Sequence, residues 1–223
     1  MAQRRYEDRP IFPRGETMAR QQYEDISTAL HGIPMTEEGF EQLLSVESPY
    51  RYELIDGMIY NMTGSTPEHS AIAVNIVASL RGQLGAGGPC RVHMDQYVKI
   101  PDRPPCCPDV VVTCDVADWE KKKRLKPFKI QYPRIVVEVL SPSTQDYDHK
   151  GKFARYRRCP SLEVYLLVSQ DERQVEVFRK QSKWKREIFS GEQVISLDAT
   201  SEDTCPLQLS LEEMYQGVIP EVE

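Results

Sequence analysis

The spacing of hydrophobic positions changes several times along this chain, and each change marks an element. TEEGFEQLL, Thr36 to Leu44, predicts a short helix capped by Thr36 with acids in its first turn. YELIDGMIYNM, Tyr52 to Met62, reads as two strand-like runs around Asp56-Gly57, a two-residue hairpin signal. Ser65 and Glu68 then fit a capping box, with Pro67 in the first turn. Ala73, Ile76, Val77, Leu80 and Leu84 follow at helical spacing, with His69 on the same stripe, until Gly85, Gly87 and Gly88 end the helix. Arg91 to Ile100 offers one or two strands, and CCPDVVVTCD, Cys106 to Asp115, a buried strand opening with Pro108-Asp109.

RIVVEVLSPST, Arg134 to Thr144, is a second buried strand closed by a Ser-Pro-Ser turn. DYDHKGKFARYRR reads as a helix with Asp146 or Asp148 near its start, and SLEVYLLV, Ser161 to Val168, as a core strand. QVEVFRK and KWKREIF alternate apolar and polar, as an antiparallel pair with one solvated face does. LEEMYQGV is a terminal helix ended by Gly217. This order predicts an α/β (α+β) fold, a mixed sheet flanked by helices with an added antiparallel hairpin. Residues 1–34, polar and aperiodic, read as a loosely ordered extension, 35–217 as the folded domain and 218–223 as an acidic tail.

Composition modifies this picture in two places. The net charge of −6 argues against a nucleic-acid partner, yet it is unevenly spread. Met1 to Tyr50 carries nine acidic and five basic residues, and Asp198 to Glu223 seven acidic and none basic. The body between them is therefore net +5, enough to attract phosphate. The six cysteines occur without a CxxC pair and without an apolar stretch behind the N-terminal arginines. Reduced thiols packed as small hydrophobes, no structural zinc and a cytoplasmic location are the expectation. No apolar run reaches the roughly 18–20 residues of a membrane span, so no membrane partner is expected.

Candidate chemistry starts from Glu138, a carboxylate in the middle of an apolar strand. Left unpaired and buried, it would cost several kcal/mol, a large share of a domain's stability. PDVVV places a second carboxylate, Asp109, at the mouth of another apolar strand. If the strands are adjacent the two converge, and oxygen donors of this kind suit Mg²⁺.

The ordered set YELIDG, PEH, PDVVV, VVEVLSPST and D-x-x-x-K-x-x-x-Y resembles the Uma-two family of restriction-endonuclease-like proteins, within the PD-(D/E)XK nuclease superfamily, over roughly Met35 to Gly217. The resemblance implies a restriction-endonuclease-like core and a Mg²⁺- or Mn²⁺-dependent DNA endonuclease, with Asp109 and Glu138 as metal ligands. One departure from the superfamily pattern is Leu140, standing where a lysine follows the glutamate by two. The family supplies that lysine from the next helix, which implies Lys152, with Lys150 in reserve. Helical spacing puts Asp148, Lys152 and Tyr156 on one face; by residues alone, Asp148–Lys152 is a surface ion pair. Glu53 and His69 match the family's early glutamate and histidine and are expected to assist, whereas Asp148 and Glu163 are expected to be structural. Lys121–Lys129, Arg155–Arg158 and Lys183–Arg186 are candidate phosphate contacts. A homodimer suits cutting of both strands, and no small-molecule cofactor is expected. The alternative is a catalytically inactive module of the same fold that binds nucleic acid or protein.

Overall fold

The computed structural model describes residues 31–46, 48, 50–62, 65–119, 128–142, 144–198 and 206–218. The N-terminal extension before residue 31, the basic run 120–127 and the acidic tail from 219 lie outside the described residues.

Strands β1 (Ile33–Pro34), β2 (Tyr52–Ile55) and β3 (Met58–Asn61) form a small antiparallel sheet in the order β1-β3-β2. Its hairpin turns at Asp56-Gly57 with φ of 49° and 78°, the double positive φ that a type I′ turn requires. Helix α1 (Glu37–Leu44) begins at Thr36, whose hydroxyl accepts from Gly39 N, and packs Phe40 and Leu44 against Tyr52, Leu54 and Ile59. Helix α2 (Pro67–Leu84) starts one residue later than the capping-box pattern predicts. Thr66 caps it by accepting from His69 N at 3.1 Å, while Ser65 bonds Ser70. The proline at the first helical position fixes this register, because its missing N–H is one that no cap needs to satisfy.

The main sheet has six strands in the order β4-β5-β6-β7-β8-β9: β4 (Arg91–Met94), β5 (Val110–Thr113), β6 (Pro133–Leu140), β7 (Val164–Ser169), β8 (Gln174–Arg179) and β9 (Arg186–Ser190). Only β6 and β7 pair in parallel. A parallel pair needs a crossover. Here the crossover is helical: α3 (Gln145–Tyr147) runs without a break through a π-helical turn, Asp148–Lys152, into α4 (Phe153–Tyr156). It lies over the face of β6 that carries Glu138.

Residues alternate between the two faces of the sheet. Val110, Val112, Ile135, Val137 and Val139 pack on one side with Ile72, Ile76 and Leu80 of α2. Val111, Val136, Tyr165, Leu167 and Phe178 pack on the other with Tyr156 and Leu162. Both faces are covered, which is why β6 reads as a continuous apolar run. The same cover corrects the expectation for the β8–β9 pair. Strand β8 is buried from Val175 to Arg179, and only the edge strand β9 alternates. A short two-stranded sheet, β10 (Val194–Ser196) with β11 (Gln208–Ser210), and α5 (Leu211–Met214) complete the α2 side.

The cysteines depart from the expectation of reduced thiols. Cys90 and Cys114 form a disulfide with Cα atoms 4.0 Å apart. The antiparallel register sets Arg91 opposite Thr113, which brings the flanking residues Cys90 and Cys114 together. Cys106, Cys107 and Cys159 are free. No described helix is long and apolar enough to cross a membrane.

Candidate active site

Strands β5 and β6 are antiparallel neighbours with Val110 opposite Val137. Extending that register by one residue sets Asp109 beside Glu138, and the alternation turns Glu138 toward the crossover helix. The arrangement is locked through the backbone: Val139 N donates to Asp109 Oδ2 at 2.7 Å. From α2, His69 Nε2 lies 3.3 Å from the same oxygen.

The crossover helix answers the buried charge of Glu138. Lys152 Nζ donates to Glu138 Oε2 at 3.0 Å, and Tyr156 OH donates to Glu138 Oε1 at 3.1 Å. The ammonium also lies 3.4 Å from Glu53 Oε1 and 3.4 Å from Asp148 Oδ1. Glu53 comes from β2 of the small sheet and accepts from Cys107 N at 3.0 Å, so three separate elements meet at one lysine. These groups are shielded from water: Glu53 is 0% exposed, Glu138 and Asp148 2%, and Lys152 4%.

Acids outnumber cations in this cluster, and the titration of its members reflects that. Burial opposes the charge on Lys152, but Glu138, Glu53 and Asp148 outweigh it and hold the ammonium protonated well above its usual range. Burial raises the carboxyls of Glu138 and Glu53; Lys152 pulls both back only in part, and Asp148 pushes both further up. One ammonium cannot neutralise three carboxylates. Asp109 goes the other way: burial alone would raise it, but the bond and charge of His69, then Lys152, carry it below its ordinary value. His69 is correspondingly raised by Asp109 against its own burial.

Asp109, Glu138, Asp148, Lys152 and His69 line a cavity of about 710 Å³, with Arg51 and Asp95 paired at its edge. Glu53 lies one layer deeper, behind Cys107 and Lys152. Among the described residues, no three candidate ligands from His, Cys, Asp and Glu close around one point. The donor set still fits a hard divalent cation: the carboxylates of Asp109 and Glu138, on adjacent strands, line one cavity. Two carboxylates with water and phosphate oxygens are the usual holding of Mg²⁺.

All five residues singled out in the sequence therefore meet in one place. Lys150 does not: its side chain is 81% exposed and faces Asp146 at 3.7 Å. Asp148–Lys152, expected on residues alone to be a surface pair, is buried. Asp148 and Tyr156, which helical spacing puts on the face of Lys152 but which were given no part in the site, join it through that lysine and Glu138. Several candidate phosphate contacts are committed to protein partners. Arg155 donates to Leu54 O, Arg158 to Pro101 O and Arg186 to Glu176. Glu163 has the expected structural role, accepting from Arg134 at 2.7 Å.

The crystal structure of a "putative nuclease" from Anabaena variabilis superposes with a TM-score of 0.67, covering 83% of this chain and all of that one. At 21% identity this likeness shows the shared nuclease fold. The uncharacterized protein slr1290 of Synechocystis is 40% identical over 132 residues, 58% of this chain and 66% of that protein. A second uncharacterized Synechocystis protein, sll1609, is 29% identical over 129 residues, 57% of this chain and 71% of that one. The chain thus spans just under two thirds of the first relative's length. The family described as Uma2, "Putative restriction endonuclease", matches residues 37–210. A mixed sheet bearing Asp109 and Glu138 on adjacent strands, a nuclease-fold neighbour and a family match over most of the chain agree, and the protein belongs to the Uma2 family.

Proposed function

We propose that this nuclease-fold protein is a Mg²⁺- or Mn²⁺-dependent DNA endonuclease. The observation that carries the reading is the convergence of Asp109, Glu138 and Lys152 in one cavity from three different elements, β5, β6 and the crossover helix. Asp109 and Glu138 would hold the metal, which when bound supplies charge neutralisation at a phosphate and a water acidified toward neutrality.

The remaining work falls to the chain. Three carboxylates hold Lys152 as an ammonium, so it acts as a fixed cation that stabilises charge developing on phosphate and not as a proton acceptor. Tyr156 fixes the rotamer of Glu138 from beneath. His69 holds Asp109 ionised and orients it. Glu53 anchors Lys152 from the second sheet. Leu140 needs no lysine, because the crossover helix delivers one to the same carboxylate. A homodimer with two such cavities would cut both strands of a duplex.

The test is cleavage of supercoiled and linear DNA with Mg²⁺, Mn²⁺ or EDTA, beside Glu138→Ala and Lys152→Ala. Metal-dependent nicking in the parent, lost in both variants, is the expected result. DNA binding without cleavage under any metal would overturn it in favour of a catalytically inactive binding module.

A further inference from the structure

Asp148 is the carboxylate in the cavity wall beside Lys152 that the proposed metal holding by Asp109 and Glu138 does not use. It is 2% exposed, lines the cavity, and its Oδ1 makes no hydrogen bond. It is a third carboxylate, with Glu53 and Glu138, around the single ammonium of Lys152.

Its geometry supplies a role. Lys152 has three carboxylate neighbours: Glu138, which accepts its hydrogen bond at 3.0 Å, and Glu53 and Asp148, each at 3.4 Å. Of these, Glu138 is the group that a cation would claim, and a divalent charge on its oxygens would repel the ammonium. Glu53 stands behind the cavity wall on another sheet. Asp148 alone lies four residues earlier on the helix of Lys152 itself and borders the cavity. Its distance from the lysine is set by the helix and does not depend on how β2 or β6 shifts. Tyr165 OH donates to the Asp148 carbonyl at 3.0 Å and pins that helical turn to β7. Oδ1, already 3.4 Å from the ammonium but without a hydrogen bond, can accept the N–H that Glu138 releases.

Resting on the nuclease reading above, we infer that Asp148 is a positioning residue, which takes over the Lys152 ammonium when Glu138 is engaged and keeps it facing the substrate phosphate. The catalytic contact belongs to Lys152; Asp148 acts through it.

The test uses the full chain with Asp148→Asn, near-isosteric but neutral, and Asp148→Glu, which restores the charge. Three readouts are needed. The first is the melting temperature: Asp148→Asn should equal or exceed the parent, because a surplus negative charge is gone. The second is the ¹⁵N resonance of the Lys152 ammonium, assigned by its loss in Lys152→Arg. It should shift when Mg²⁺ is added to the parent, and broaden or vanish when Mg²⁺ is added to Asp148→Asn. The third is DNA cleavage: kcat should fall at least tenfold in Asp148→Asn with KM unchanged or lower, and recover in part in Asp148→Glu. A melting temperature lowered by several degrees would make Asp148 structural and overturn the inference, as would an unchanged ammonium signal or an unchanged kcat. Failure of the parent to cleave any DNA would instead sink the nuclease reading, and the ammonium signal without DNA still decides whether Asp148 holds Lys152.

Discussion

Replacing Lys152 by Met removes the cluster's ammonium while keeping most of its volume. The charge lost lies 3.0 Å from Glu138 and 3.4 Å from both Glu53 and Asp148, all nearly inaccessible to water. Breaking a buried pair this way costs about 3–5 kcal/mol, since the partner is left uncompensated. The carboxylates have one escape, which is to take up a proton. Glu138 and Glu53 ordinarily titrate near 4.5 and are already raised in the folded protein. A group raised on folding carries stability that is complete below its unfolded value and lost as pH climbs through the folded one. Holding one extra proton on such a carboxyl costs about 0.7 kcal/mol at pH 5 and at most about 4.8 kcal/mol at pH 8, at 1.36 kcal/mol per unit. Urea unfolding of parent and Lys152→Met from pH 5 to 8 should therefore show a gap that widens by up to about 1.4 kcal/mol per pH unit. At pH 8 it should reach about 3–5 kcal/mol, or roughly 6–20 °C in melting temperature for a chain of this size. A gap that stays flat across this range, or lies below about 1 kcal/mol at pH 8, would show that Lys152 does not compensate buried carboxylates and refute the account of the cluster.

Mg²⁺ should raise the melting temperature of the parent, and the rise should be absent in Glu138→Gln; an equal rise in that variant would remove Glu138 from the metal. His69 and Asp109 should couple by about 1–2 kcal/mol in a double-mutant cycle with His69→Gln and Asp109→Asn. Asp109 is lowered, so its share is present above 3.8 and lost as pH falls through its folded value. His69 is raised, so its share is complete below 6.5 and lost as pH rises through its folded value; the coupling should peak between the two and shrink above. Thr66→Ala should lower stability by about 1 kcal/mol by uncapping α2, read by thermal melting, whereas Ser65→Ala should change it by less than about 0.5 kcal/mol. Thiol titration of the denatured, unreduced protein should find two fewer thiols than after reduction, from Cys90 and Cys114.

The sequence by itself determined what depends on neighbours along the chain. The Asp56-Gly57 hairpin, the cap at Thr36, the buried strand around Glu138 and the helix bearing Lys152 were all legible, because turn φ angles, caps and hydrophobic periods are local properties. The anomaly of Glu138 was legible too, since a carboxylate flanked by β-branched residues must find a partner wherever the strand lies. What no local pattern carries is register and crossing. The antiparallel ladder of β4 and β5 decides that Cys90 meets Cys114, across 24 residues of chain. The position of β8 inside the sheet, not its alternation, decides that both its faces are buried. Only the tertiary structure turns Asp148 from a surface ion-pair partner into a buried one and sends Lys150 to solvent, because the crossover helix must lie on the sheet with one face inward. The meeting of Glu53, Glu138 and Asp148 at a single ammonium joins three elements, and its energy exists only when all three have desolvated one another.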